Sequence, residues 1–206
     1  MADTISDLTA PGSTNDSSDW SQLGAPGTDV SSPFTLTSVN GLGITGTFSG
    51  TAETGQQGPG AGQLNGNFSP GDNLILVVAD SLTLSFGQGI YSVGAQIASN
   101  FYGPFTGEIQ AYDGGTLLGS YTESGNSTDL NDGSAIFLGI ADLTGPNITS
   151  VVFSYTAGAP QGFILDTLKL DEPPLTAAAP EPGTLAFVLL GLAGLAVLRR
   201  RTLATY

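Results

Sequence analysis

The fold is constrained most by a period of two in the apolar residues. Phe34 and Leu36 alternate with Thr35 and Thr37, and Leu42, Ile44 and Phe48 resume the alternation after Asn40-Gly41. A period of two sends successive side chains to opposite faces of a strand, and Asn-Gly is a hairpin-turn pair. Leu74 to Ala79 is a continuous apolar run of strand length, followed by an alternating run through Leu82, Leu84 and Phe86. Glu108–Tyr112 and Thr116–Thr122 flank Asp113-Gly114-Gly115, a hairpin signal. Runs over 90–98, 135–140, 148–155 and 163–170 complete about ten strands, spaced at roughly eight to twelve residues. Residues 20–171 show no sustained 3.6 period with helix caps. The expectation is an all-β, antiparallel β-sandwich over residues 20–171.

Charge narrows the partners. The basic residues are Lys169, Arg199, Arg200 and Arg201, so residues 1–168 carry fifteen acids and no positive charge. Such a body repels nucleic acid and anionic lipid, which need Lys or Arg contacts. Its acids must be solvated, hydrogen-bonded or met by cations. The chain has no Cys and no His. Disulfides, thiolate metal sites and a cysteine nucleophile are excluded, and the commonest general base is missing.

Residues 1–19 are polar with few apolar anchors and read as a flexible, disordered leader. They hold no basic n-region and no apolar h-region, so the expectation is that an export signal lies upstream of Met1. Residues 172–179 form a Pro/Ala linker, with Pro173-Pro174 favouring extended structure. Residues 183–198 carry no charge and lack a polar face. A helix of that length spans roughly 24 Å, slightly short of a hydrocarbon core of about 30 Å. Arg199, Arg200 and Arg201 can extend it by reaching the headgroups, and they hold that end on the cytoplasmic side. A single C-terminal transmembrane helix is expected.

Pro180-Glu181-Pro182, the Gly/Leu/Ala-rich span and the Arg cluster closely resemble the PEP-CTERM sorting signal. The resemblance implies that an exosortase-type membrane protease recognises residues 180–206 and cuts near the triplet. It implies release to the cell surface or an exopolysaccharide matrix. The order of pieces from Tyr91 onward is also similar to jelly-roll modules common in PEP-CTERM proteins and related to carbohydrate-binding modules. These pieces are the strand Val93–Ile97, the hairpin Ile109–Gly119, Phe137–Ile140, Ile148–Phe153 and Phe163–Leu168.

The body offers three candidate chemistries. Paired carboxylates of a glycosidase need two groups facing across a bond at about 5 to 10 Å. No strand carries two acids at same-face spacing, and Glu108 shares its face with Tyr112 but with no second acid. The body is therefore expected to be non-catalytic, with a carboxylate-dependent hydrolase as an alternative. Asp113 reads as an Asx-type turn residue, and Asp166 as an acid accepting backbone hydrogen bonds from a loop. Both also suit a Ca²⁺ site of hard oxygen ligands, although no Asp-x-Asp-x-Asp spacing supports it. Asp129 with Asn131-Asp132-Gly133 is a rival cation loop. Phe101, Tyr102 and Phe105 form an aromatic loop that could stack on pyranose rings of exopolysaccharide, or plug the end of the sandwich. Asn67, Asn126 and Asn147 head Asn-x-Ser/Thr triplets, a pattern that is mostly chance in a chain rich in these residues.

Overall fold

The computed structural model describes residues 4–58, 63–64, 66–157 and 162–175. The described residues form two sheets with antiparallel pairing, apart from one short parallel pair. The first sheet contains β1 (Ile5–Leu8), β2 (Asp16–Ser18), β3 (Asp29–Val30), β6 (Thr51–Gln57), β7 (Gln63–Leu64), β8 (Asn73–Val78), β10 (Ser92–Ser99), β13 (Ile136–Asp142), β15 (Phe163–Leu165) and β16 (Leu168–Asp171). The second contains β4 (Phe34–Thr37), β5 (Gly43–Phe48), β9 (Ser81–Ile90), β11 (Gly103–Asp113), β12 (Thr116–Ser127) and β14 (Ile148–Ala157). The first sheet runs β1-β13-β10-β15-β8-β6-β3, with β16 also beside β10 and β2 beside β16. The second runs β12-β11-β14-β9-β5-β4. The chain divides into two units, Met1–Pro173 and Pro174–Tyr206.

Alternation builds the core directly. Ile44, Leu82, Leu84, Ile109 and Phe153 of the second sheet face Ile75, Val77, Val93, Ile97 and Leu165 of the first. Removing these side chains from water supplies the driving force, at roughly 25 cal/mol per Å² of apolar surface. A smaller cluster of Phe68, Leu74, Ala98, Ala135 and Ile164 covers part of the opposite, outer face of the first sheet. That face therefore has a partly apolar cover of its own.

Two sequence expectations are corrected here. The leader expected over 1–19 supplies β1 and β2. β1 pairs with β13, from Ile5 opposite Asp142 to Leu8 opposite Gly139. β2 pairs with β16, from Asp16 opposite Leu170 to Ser18 opposite Leu168. Backbone pairing to distant strands holds these polar residues, which local composition does not reveal. Residues 163–170, expected as one strand, break at Asp166-Thr167. The break reverses the alternation. Ile164 belongs to the outer cluster, whereas Leu168 and Leu170 lie in the main core.

The transmembrane span expected over 183–198 lies outside the described residues. Among the described residues no helix is long and apolar enough to cross a membrane.

Candidate functional site

The break at Asp166 opens a cleft on the outer face of the first sheet. On β10, Val93, Ala95 and Ile97 enter the core, so Gly94 and Gln96 point outward. On β13, Leu138 and Ile140 enter the core, so Phe137 and Gly139 point outward. The Phe137 ring lies over both glycines. A Cβ on Gly94 would come within 2.5 Å of Phe137 Cζ, and one on Gly139 within 2.8 Å of Phe137 Cε1. Glycine at both positions lets the ring come this close to the backbone and line the cleft with an apolar surface.

Polar groups surround that surface. Gln96 Nε2 donates to the carbonyls of Gly133 and Ala135, both at 2.9 Å, so the amide is fixed and offers its oxygen. Asp166 and Thr167 come from the strand break, and Lys169 from β16. Thr9, Ala10 and Pro11, in the segment joining β1 to β2, form one wall, and Glu123 of β12 joins from the second sheet. The cleft volume is about 460 Å³, the size of a small-ligand site.

Asp166 is tightly held. Its N–H donates to the Gln96 carbonyl at 3.1 Å, and its own carbonyl accepts from Trp20 Nε1 at 3.0 Å. Its Oδ1 accepts from the Thr167 N–H at 2.5 Å. Burial pushes its carboxyl above the ordinary value of 3.8, with the Asp72 charge adding and the Thr167 bond opposing. The cleft thus combines an apolar ring with an amide oxygen, two carboxyls and an ammonium. That set can hold a polyhydroxylated ligand by stacking and hydrogen bonding.

The other expected site residues are scattered. Asp113 sits at the exposed β11–β12 turn in the second sheet, and Asp166 belongs to the first. The structure does not bring them together as cation ligands. No group of three or more acids occurs as a metal cluster among the described residues. In the rival loop, Asp132 Oδ1 accepts from Ser134 Oγ at 2.6 Å and from its N–H at 3.1 Å. Those bonds hold the Asp132 carboxyl below its ordinary value. Glu108 accepts from Gln110 Nε2 at 2.9 Å on β11 and does not line the cleft.

The aromatic trio is split. Phe101 and Tyr102 are 41% and 60% exposed, whereas Phe105 is 5% exposed and packs in the main core. Its place on β11 turns it inward, so three rings do not share one surface. Of the triplet asparagines, Asn67 is buried and bonded to Ser134 and Thr128, Asn126 is exposed on β12, and Asn147 donates to Asp142 at 2.8 Å.

Phe137 and Glu123 escaped the sequence reading. Phe137 sits inside an apolar run, and only Gly94 and Gly139 beneath it hint at an outward ring. Glu123 reaches the cleft from β12, the end strand of the second sheet, which lies beside β13 and β1, and sequence spacing gives no signal for that contact.

Pro180, Glu181, Pro182 and the three arginines lie outside the described residues, so sequence comparison alone bears on them. Residues 178–201 match the family model of the PEP-CTERM protein-sorting motif. The matched PEP-CTERM residues include the whole triplet, the apolar span and the Arg cluster. No curated protein matches the chain. Among solved structures, the chain is similar to the CBM22-1-GH10 modules of a Clostridium thermocellum xylanase complexed with xylohexaose. The identity is 14% and the TM-score 0.29, over 63% of this chain and 26% of that one. It is similar to TmCBM61 in complex with β-1,4-galactotriose at 13% identity and TM-score 0.29, over 63% of this chain and 88% of that one. It is similar to CsCBM6-3 of Clostridium stercorarium in complex with cellobiose at 13% identity and TM-score 0.24, over 82% of this chain and 94% of that one. The chain spans about a quarter of the xylanase structure. At such scores these likenesses carry no argument about ligand or mechanism.

Proposed function

We propose that this is an exported protein, delivered to the cell surface or extracellular matrix by its PEP-CTERM tail, with a non-catalytic body. The match over residues 178–201 carries the reading. In it, the 183–198 span holds the chain in the inner membrane with Arg199, Arg200 and Arg201 on the cytoplasmic side. An exosortase-type protease then cuts near Pro180-Glu181-Pro182 and frees the body. The acid-rich, cation-poor surface of the body suits a released, soluble state.

Fractionation of the native host, with mass spectrometry of the mature C-terminus, tests this directly. The expected product ends near residue 182 and is found outside the inner membrane. A full-length chain recovered from the cytosol with its tail intact refutes the reading.

A more specific reading of the body is supported by the Phe137 ring and its polar rim: it docks neutral polysaccharide in the outer cleft. Affinity electrophoresis on a panel of neutral glycans tests it. Retardation is expected to be lost in Phe137→Ala and kept in Tyr102→Ala. The reverse pattern would move the binding surface to the exposed pair Phe101 and Tyr102. Turnover of a glycan abolished by Glu123→Gln or Asp166→Asn would instead revive the hydrolase.

A further inference from the structure

Two buried carboxyl groups meet where β2 runs beside the end of β16. Asp16 opens β2, and Glu172 follows β16 directly. Leu170 lies opposite Asp16 in that pair of strands. Alternation sends Leu168, Leu170 and Glu172 to the buried face of the sheet, and Asp16 and Ser18 to the same face. Glu172 is therefore the diagonal neighbour of Asp16, a spacing that long side chains bridge. Asn15 fixes the crossing. Its Nδ2 donates to the Glu172 carbonyl at 2.7 Å, and its Oδ1 accepts from the Glu172 N–H at 3.0 Å. Its own N–H donates to the Leu170 carbonyl at 3.0 Å. Asp16 is 7% exposed and Glu172 3%, so neither acid turns out to water.

Asp16 Oδ1 accepts from the N–H groups of Ser17 at 2.8 Å and Asn40 at 3.0 Å. Asp16 Oδ2 and Glu172 Oε2 have no such donor. The two carboxyl groups lie within hydrogen-bonding reach of each other. Two buried carboxylates offer only acceptors and repel, whereas one proton between them turns the clash into a hydrogen bond. The surrounding groups leave that role open. Gln88 of β9 reaches the Glu172 side chain, and its Nε2 donates to the Pro173 carbonyl at 3.0 Å. Lys169 lines the cleft beside Asp16, but it stands opposite Ser17 on the outer face of the sheet and leaves Oδ2 without a partner. Asp171 shares that outer face, and its carbonyl accepts from the Tyr91 N–H at 2.8 Å.

We propose that Asp16 and Glu172 share one proton, and that this proton latches the end of β16 to β2 at the root of the sorting tail, so that the latch slackens when the proton leaves. Pro173, the next residue, closes the sandwich unit, and the matched sorting motif begins at residue 178. Burial, and then the contact with Asp16 and its charge, push the Glu172 carboxyl from 4.5 up to about 7. The folded chain thus keeps a proton that the unfolded chain has released. The latch is at full strength below 4.5 and is lost as pH rises through about 7. It stands apart from the proposed delivery and from any ligand of the outer cleft.

The test uses the full chain in mild detergent, with its glutamate carboxyls labelled with carbon-13. NMR titration reads the Glu172 carboxyl, and hydrogen exchange reads the amides of Asn15, Asn40 and Glu172. The Glu172 midpoint is expected at about 7 in wild type. It is expected at least about one pH unit lower in Asp16→Asn, whose amide donates to the carboxylate. Exchange at the three amides, corrected for its intrinsic pH dependence, should speed about tenfold between about pH 6 and pH 8, the effect of losing one proton in that range. It should stay flat in Glu172→Gln, where the amide Nε2 replaces the shared proton as donor. A wild-type midpoint close to 4.5 overturns the shared proton. A raised midpoint that Asp16→Asn leaves unmoved overturns Asp16 as the partner. Flat exchange in wild type overturns the latch. Should either variant fail to fold, the wild-type titration and exchange decide the matter.

Discussion

Replacing Gly94 by alanine should both weaken the fold and spoil the outer cleft. The added methyl would lie 2.5 Å from Phe137 Cζ, 2.7 Å from Cε1 and 2.9 Å from the Gly139 Cα. Real Cβ contacts do not fall below about 3 Å, so the ring must lift or the two strands must part. Insertion of a methyl into a packed site typically costs about 1 to 3 kcal/mol. The ring is 8% exposed but borders the outer cleft, so shifting it toward the cleft is the cheaper response. The contact with Gly139 is backbone and cannot be relieved that way, which places the expected loss near 2 kcal/mol. Removing Phe137 by alanine separately costs about 3 kcal/mol, the low end of the range for buried rings, since the ring borders the outer cleft. In Gly94→Ala with Phe137→Ala the clash with the ring is gone, so the double variant should lose about 1 kcal/mol less than the sum of the singles. Urea unfolding of the full chain in mild detergent, followed by circular dichroism, measures all three. A Gly94→Ala variant within about 0.5 kcal/mol of wild type, or strict additivity in the cycle, would refute the account of Phe137 as a ring seated on bare backbone.

Three further outcomes are expected. Trp20→Phe removes the donor to the Asp166 carbonyl and leaves that oxygen unpaired in a half-buried setting, costing about 1 to 3 kcal/mol in urea unfolding. Phe153→Ala empties a fully buried position between the sheets and costs about 3 to 5 kcal/mol by the same measurement. For Asp166, burial raises the folded carboxyl above 3.8, so the folded chain holds a proton there that the unfolded chain has released. Its contribution is fully present below 3.8 and is lost as pH rises through the folded value. Asp166→Asn should therefore gain stability relative to wild type as pH rises above 3.8, and a pH-independent difference would refute the role of burial.

Most strands were legible because their signal is local. The run Leu74 to Ala79 became β8, and Asp113-Gly114-Gly115 became the β11–β12 turn with Gly114 at φ 59°. Asn40-Gly41 became the turn between β4 and β5, with Gly41 at φ 102°. The failures share one cause. β1 and β2 are polar and short, and they exist because strands from the far end of the chain offer them hydrogen bonds. The strand break at Asp166-Thr167 is equally silent, since Phe163 to Leu170 reads as apolar throughout apart from those two residues and Lys169. The cleft needs that break, the crossing segment of Thr9 to Pro11 and a residue from the other sheet. No window of sequence contains all three. The same holds for Asp16 and Glu172, which are joined by Asn15 across the whole body.

The pairing of Ile5 with Asp142 and of Asp16 with Leu170 also sets when the body can finish folding. A ribosome or a translocation pore yields the chain from its beginning, so β1 waits for β13 and β2 waits for β16. Contacts so distant along the chain close slowly. A polypeptide that must cross a bilayer as a thread benefits from this delay, because its early segments lack their partners until β16 has emerged on the far side.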